Sequence, residues 1–154
     1  MTQAEIVELV SGWEHVLAFT PRPGDGTPEI AWGDTFFYYA PDGTMPQATQ
    51  PFATIVTKNY PGDEVSQLDR DGVYRVNIHP AKKSFAQHSD TGITHNQGDA
   101  AAALDRITEH PTYGSLGWLA VLNPGPETLA ITRELLREAY ELDRARHERR
   151  HPAT

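Results

Sequence analysis

The sequence predicts an α+β domain: an antiparallel sheet with helices packed mainly on one face, finished by a long C-terminal helix. Three observations carry this. Aromatic and β-branched runs arrive early and close together, so neighbouring strands can pair antiparallel. Later strands alternate with short helical stretches. The stretch from Glu127 to about Arg149 has the widest apolar helical stripe of the chain. The 154 residues fit one domain, expected over 1–150, with a disordered end at 151–154.

Thr2 and Glu5 have capping-box spacing, and Ile6, Leu9, Val10 and Trp13 then recur at helical intervals, so a first helix is expected over about 3–12. His15–Thr20 reads as a strand. Three prolines and two glycines in 21–28 then break every regular pattern. Glu29–Trp32 and Thr35–Ala40 are β-prone runs separated by Gly33-Asp34, a two-residue turn of the kind that predicts a hairpin. Phe52–Lys58 is a third strand after a loop. Asp63 is expected to cap a short helix carrying Val65 and Leu68. In Val73–His79 the side chains of Tyr74, Val76 and Ile78 point one way, and those of Val73, Arg75, Asn77 and His79 the other. Pro80 starts a helix over 81–87, Asp99 caps another through Leu104 and Ile107, and 109–116 is irregular. Gly117–Leu122 is an apolar strand. Pro126 and Glu127 open the last helix, where Leu129, Thr132, Leu136, Ala139 and Tyr140 form one stripe.

Composition narrows the function. Acidic residues number 21 against 13 basic ones, and cysteine is absent, which excludes thiolate catalysis, disulfides and cysteine-ligated zinc. No apolar run reaches bilayer length and no signal-peptide pattern opens the chain, so a cytoplasmic protein without a membrane partner is expected. Arg144, Arg146, Arg149 and Arg150 cluster near the end beside the single acid Glu148. Residues 1–143 therefore carry a net charge of −11, which repels phosphate backbones.

Several blocks are long and specific. Glu29–Tyr39 (EIAWGDTFFYY), Pro51–Lys58 (PFATIVTK), Tyr74–His79 (YRVNIH) and His110–Leu119 (HPTYGSLGWL) resemble the signature blocks of an uncharacterised bacterial family of unknown function. The order of elements is also similar to that of MmcQ/YjbR proteins, a resemblance that implies a compact α+β fold and a DNA-binding role. The chain departs from those proteins in its Pro/Gly loop, in the inserted stretch Ser89–Ile107 and in its acidic body. Neither resemblance brings a catalytic set.

Candidate chemistry therefore comes from the residues themselves. His79, Lys82, Lys83, His88, Asp90, His95 and His110 form the strongest polar grouping; imidazole suits proton transfer, and a lysine can bind an anion. His79, Lys83 and His110 are the catalytic candidates. Arg75 and Asn77, on the strand face of His79, join Trp32, Tyr38, Tyr60 and Trp118 as candidates for lining a ligand groove on the sheet. The separations among His79, His88, His95 and His110 match no metal-site spacing, and no glycine pattern matches a nucleotide cradle, so neither metal nor cofactor is expected. The expected function is small-molecule binding, or a small acid–base enzyme, on that polar face. The alternative is an MmcQ/YjbR-type nucleic-acid module using the C-terminal arginines.

Overall fold

Helix α1 (Gln3–Ser11) begins with the expected capping box: the Glu5 amide donates to Thr2 Oγ1 (3.2 Å) and the Thr2 amide to the Glu5 carboxylate (2.9 Å). The computed structural model describes residues 1–89 and 97–151, so the candidates Asp90 and His95 and the end 152–154 lie outside the described residues. Strands β1 (Val16–Phe19), β2 (Thr35–Tyr39), β3 (Ala53–Val56), β4 (Arg75–Ile78), β5 (Ile107–Glu109) and β6 (Leu119–Leu122) form one sheet in the order β1-β2-β3-β4-β6-β5, with every neighbouring pair antiparallel. Helices α2 (Lys82–His88), α3 (Gln97–Ala102) and α4 (Leu129–Arg150) complete an α+β fold.

The two-residue period of the strands divides the sheet into unlike faces. Phe37, Ala53, Ile55, Val76, Ile78, Leu119 and Val121 belong to the main core, where Ile6 and Val10 of α1 and Leu135, Leu136, Ala139 and Tyr140 of α4 join them. Tyr140 centres an aromatic cluster with Tyr39, Phe52 and Trp13 at ring separations of 5.3–5.9 Å, and its hydroxyl donates to the Glu14 carbonyl (2.7 Å). The opposite face carries Phe36, Thr54, Val56, Arg75, Asn77, Ala120 and Leu122. Every residue of β3, β4 and β6 is nonetheless buried, so this face is covered as well. Its cover is loop: a small cluster of Val56, Leu68 and Leu122 packs with Tyr60 and Val73 from the connection between β3 and β4.

Five local expectations are corrected. Glu29–Trp32 is no strand. Glu29–Ala31 closes as a single 3-10 turn after Pro28, with Ala31 N bonded to Pro28 O and Trp32 N to Glu29 O (both 3.0 Å). The hairpin partner of β2 is β1, reached across the Pro/Gly loop. Asp63 caps no helix; its amide closes a turn on the Tyr60 carbonyl (2.9 Å) and its carboxylate goes elsewhere. Asp99 lies inside α3 rather than ahead of it, and Ile107–Glu109, read as a helix end running into irregular chain, is strand β5.

The start of α4 shows how remote residues finish an element. Thr128 caps it without a side-chain bond. Instead Asp105, at φ 55°, accepts from the amides of Gly125, Glu127 and Thr128 and from the Thr128 hydroxyl (2.6–3.0 Å). Burial opposes ionisation of Asp105, but these donors prevail and hold its pKa down at about 2.

Candidate ligand-binding site

The loop-covered face of the sheet encloses a cavity of about 610 Å³. Its floor is polar and comes from adjacent strands. Asn77 of β4 sits opposite Thr54 of β3, and Arg75 opposite Val56. Arg75 is 1% exposed, and its guanidinium makes four hydrogen bonds to neighbours. Nε donates to Asn77 Oδ1 (2.8 Å), Nη1 to Asp63 Oδ1 (3.0 Å) and Ser66 Oγ (2.9 Å), and Nη2 to Asp63 Oδ2 (2.6 Å). This is a two-pronged ion pair in which the planar fork matches the carboxylate. Burial works against the Asp63 charge. The bonds and charge of Arg75, with smaller help from His110 and Thr112, outweigh it and hold Asp63 below the usual carboxylate range. The pair is locally neutral, so the floor presents dipoles rather than net charge. Asn77 Nδ2 then donates to Thr54 Oγ1 (2.9 Å), which leaves the Thr54 hydroxyl proton to be donated in turn.

His110 enters from the loop between β5 and β6. That loop is tightly closed. His110 N donates to the Trp118 carbonyl (2.9 Å), Gly114 N returns to the His110 carbonyl (2.9 Å), and Gly117 takes φ 91°. A Cβ on Gly114 would lie 2.2 Å from Glu109 Cγ, so a side chain there would have to displace the Glu109 side chain. His110 is 4% exposed, and its Nδ1 accepts from the amides of Thr112 and Tyr113 (both 3.0 Å). An accepting Nδ1 requires the proton on Nε2. Burial, then the Arg75 charge, push the His110 pKa down to about 4 against the pull of Asp63. At neutral pH the ring is therefore uncharged, and Nε2–H is a donor with no acceptor among the described residues.

The upper walls are apolar. Phe36, Val56, Pro51 and Trp118 line them, and the mouth carries Ile30, Tyr113 and Leu116, which are 37%, 50% and 63% exposed. Tyr60 also lines the cavity. Its hydroxyl donates to the buried carboxylate of Asp34, which also takes Lys58 Nζ (3.0 Å) and the Thr57 amide (2.8 Å) and hydroxyl (2.7 Å). Burial first and that acceptor second keep the Tyr60 proton in place far into the alkaline range.

Of the residues singled out in the sequence, Arg75, Asn77, His110, Tyr60 and Trp118 meet in this cavity. His79 does not line it. β4 ends at Ile78, and the His79 ring stacks on the far side of Trp118 (centroids 4.9 Å apart, planes 8° apart) in a neighbouring groove. Burial and then Arg146 lower the His79 pKa, against the Leu116 carbonyl and Asp143. Lys83 is exposed on α2, whose Ser84 bonds Glu138 of α4, and it lines neither concavity. Trp32 donates its indole N–H to the Thr27 carbonyl (3.3 Å), and Tyr38 is half-buried; neither lines the cavity. Asp63 and Thr54 complete the floor without having been singled out for it, and Ser66 holds Arg75 from outside the lining. A turn aspartate twelve residues before its arginine carries no sequence mark of that pairing. Among the described residues no group of three or more His, Asp or Glu side chains is arranged around a metal position, and no helix is long and apolar enough to cross a membrane.

Residues 1–152 match a family described as a family of unknown function, DUF6194. No curated protein matches the chain, and no solved structure does, so the similarity to MmcQ/YjbR proteins finds no counterpart there.

Proposed function

We propose that this chain, which belongs to the DUF6194 family, is a small-molecule-binding protein whose ligand occupies the cavity on the loop-covered face of the sheet. One observation carries the reading: a buried, hydrogen-bonded polar floor lies beneath a mouth of exposed apolar side chains. Three of the large hydrophobic residues left in solvent, Ile30, Tyr113 and Leu116, surround this one opening. The volume suits a drug-sized molecule, and apolar walls with a few fixed polar groups are the usual make-up of such sites.

The donors define the ligand. His110 Nε2–H and the Thr54 hydroxyl call for an acceptor such as a carbonyl or carboxamide, while the neutral Arg75–Asp63 pair adds no net charge to attract or repel it. Binding is favoured over acid–base catalysis. His110 holds its proton on Nε2 and uses Nδ1 for the backbone, and Asp63 is committed to Arg75 as a weak base. A cysteine-free chain suits the cytoplasm expected from the sequence. The nucleic-acid reading is less well supported, because the C-terminal arginines are partly spent within their own helix. Arg144 bonds Glu148 (3.0 Å) and Arg146 stands 4.0 Å from Asp143.

The rim provides the test. Phenylpropionamide, with an aromatic body and one carboxamide, is titrated against the protein and followed by Trp fluorescence. The variants Ile30→Ala and Tyr113→Ala are expected to keep folding stability within about 1 kcal/mol, because both side chains are exposed. Together they are expected to weaken binding about tenfold through lost apolar contact. Unchanged binding in the double variant would contradict the site.

A further inference from the structure

The groove on the far side of Trp118 adjoins the cavity. It encloses about 440 Å³, and Gln50, Pro51, Leu116 and Trp118 line both. What changes across that wall is charge. The cavity floor is neutral, whereas the groove is flanked by Arg146 and Arg150 from the last turns of α4, with the single acid Asp143 at its base. The Arg146 guanidinium stands 4.0 Å from Asp143, at the limit of an ion pair, and Arg150 makes no ion pair among the described residues. Two guanidinium groups against one buried carboxylate leave one positive charge on a chain whose net charge is −8. His79, stacked on the indole, adds a ring edge to the same groove without adding a charge at neutral pH.

We infer that the ligand of the cavity is an amphipathic organic monoanion, whose carboxylate-type head passes over Trp118 to Arg146 and Arg150 while its apolar body fills the space above Asn77 and Thr54. The inference rests on the cavity being the ligand site and adds the ligand's charge and direction. A carboxylate balances the single positive charge, and the arginine forks match its two oxygens. The cavity offers donors but no net positive charge to offset a carboxylate, so the head belongs at the groove end.

The experiment compares a matched pair of probes, phenylpropionate and phenylpropionamide, titrated against the full chain at low and at high salt. The carboxylate is expected to bind about fivefold more tightly than the amide at low salt, as partly exposed ion pairs do. That preference is expected to shrink at high salt. In the double variant Arg146→Gln, Arg150→Gln the preference disappears while the amide binds as before, which also reports an intact fold. Equal binding of both probes by the wild type, or a preference that survives in the double variant, overturns the anionic head and leaves the cavity standing. Failure of the amide to bind at all overturns the cavity itself.

Discussion

Replacing Arg75 with methionine is expected to cost about 3 kcal/mol of folding stability, read as a lower urea midpoint, because it strands a carboxylate that is only 12% exposed. Asp63 would lose both of its guanidinium bonds, and Ser66 and the Asn77 carbonyl one donor each. The result separates the charge from the space it fills. The double variant Arg75→Met, Asp63→Leu removes both charges and is expected to recover most of the loss, since an ion pair replaced by apolar groups of similar volume is often neutral. What should not recover is the cavity floor, which then presents Asn77 and Thr54 without their anchor. A single variant as stable as the wild type would mean that Arg75 and Asp63 do not form the pair in solution.

His110 should give the largest pH effect. Its folded pKa is about 4, below the unfolded value near 6.5, so the unfolded chain takes up its proton first as the pH falls. The stability linked to the neutral ring is fully present above pH 6.5 and is lost as the pH falls towards 4. The loss is on the order of 2–3 kcal/mol, shared with the coupled charges of Arg75 and Asp63. His110→Asn keeps an acceptor close to the place of Nδ1 for the Thr112 and Tyr113 amides but removes the titration. Thermal unfolding of the two proteins across this window is expected to show a steeper acid loss in the wild type. Parallel curves would contradict a neutral, buried His110.

How much of this was legible beforehand depended on range. The alternation of Tyr74, Val76 and Ile78 with Arg75 and Asn77 is a local, two-residue pattern, and it gave the two faces of β4 correctly. The capping box of α1 and the apolar stripe of α4 were legible for the same reason. The partner of β2 was not. Glu29–Trp32 has strand-like side chains, but its bonds run three residues back to Pro28 and Glu29, and β1 pairs across a long loop. His79 shares the parity of Arg75 and Asn77, yet parity holds only while the strand lasts, and here it lasts to Ile78. Asp63 was hidden for a related reason, since an aspartate after Pro-Gly reads as a turn or a cap whatever it meets in space. His110 was visible as a histidine, but its fixed tautomer comes from the backbone of its own loop.

Ligand binding on the loop-covered face of the sheet can be read residue by residue in solution. Amide and indole chemical shifts of the isotope-labelled protein, followed during titration with phenylpropionamide, test it most directly. Shifts are expected to gather on Phe36, Thr54, Asn77, His110 and the Trp118 indole, with the amides of α1 silent. Shifts spread over the helical face, or none at saturating probe, would contradict it.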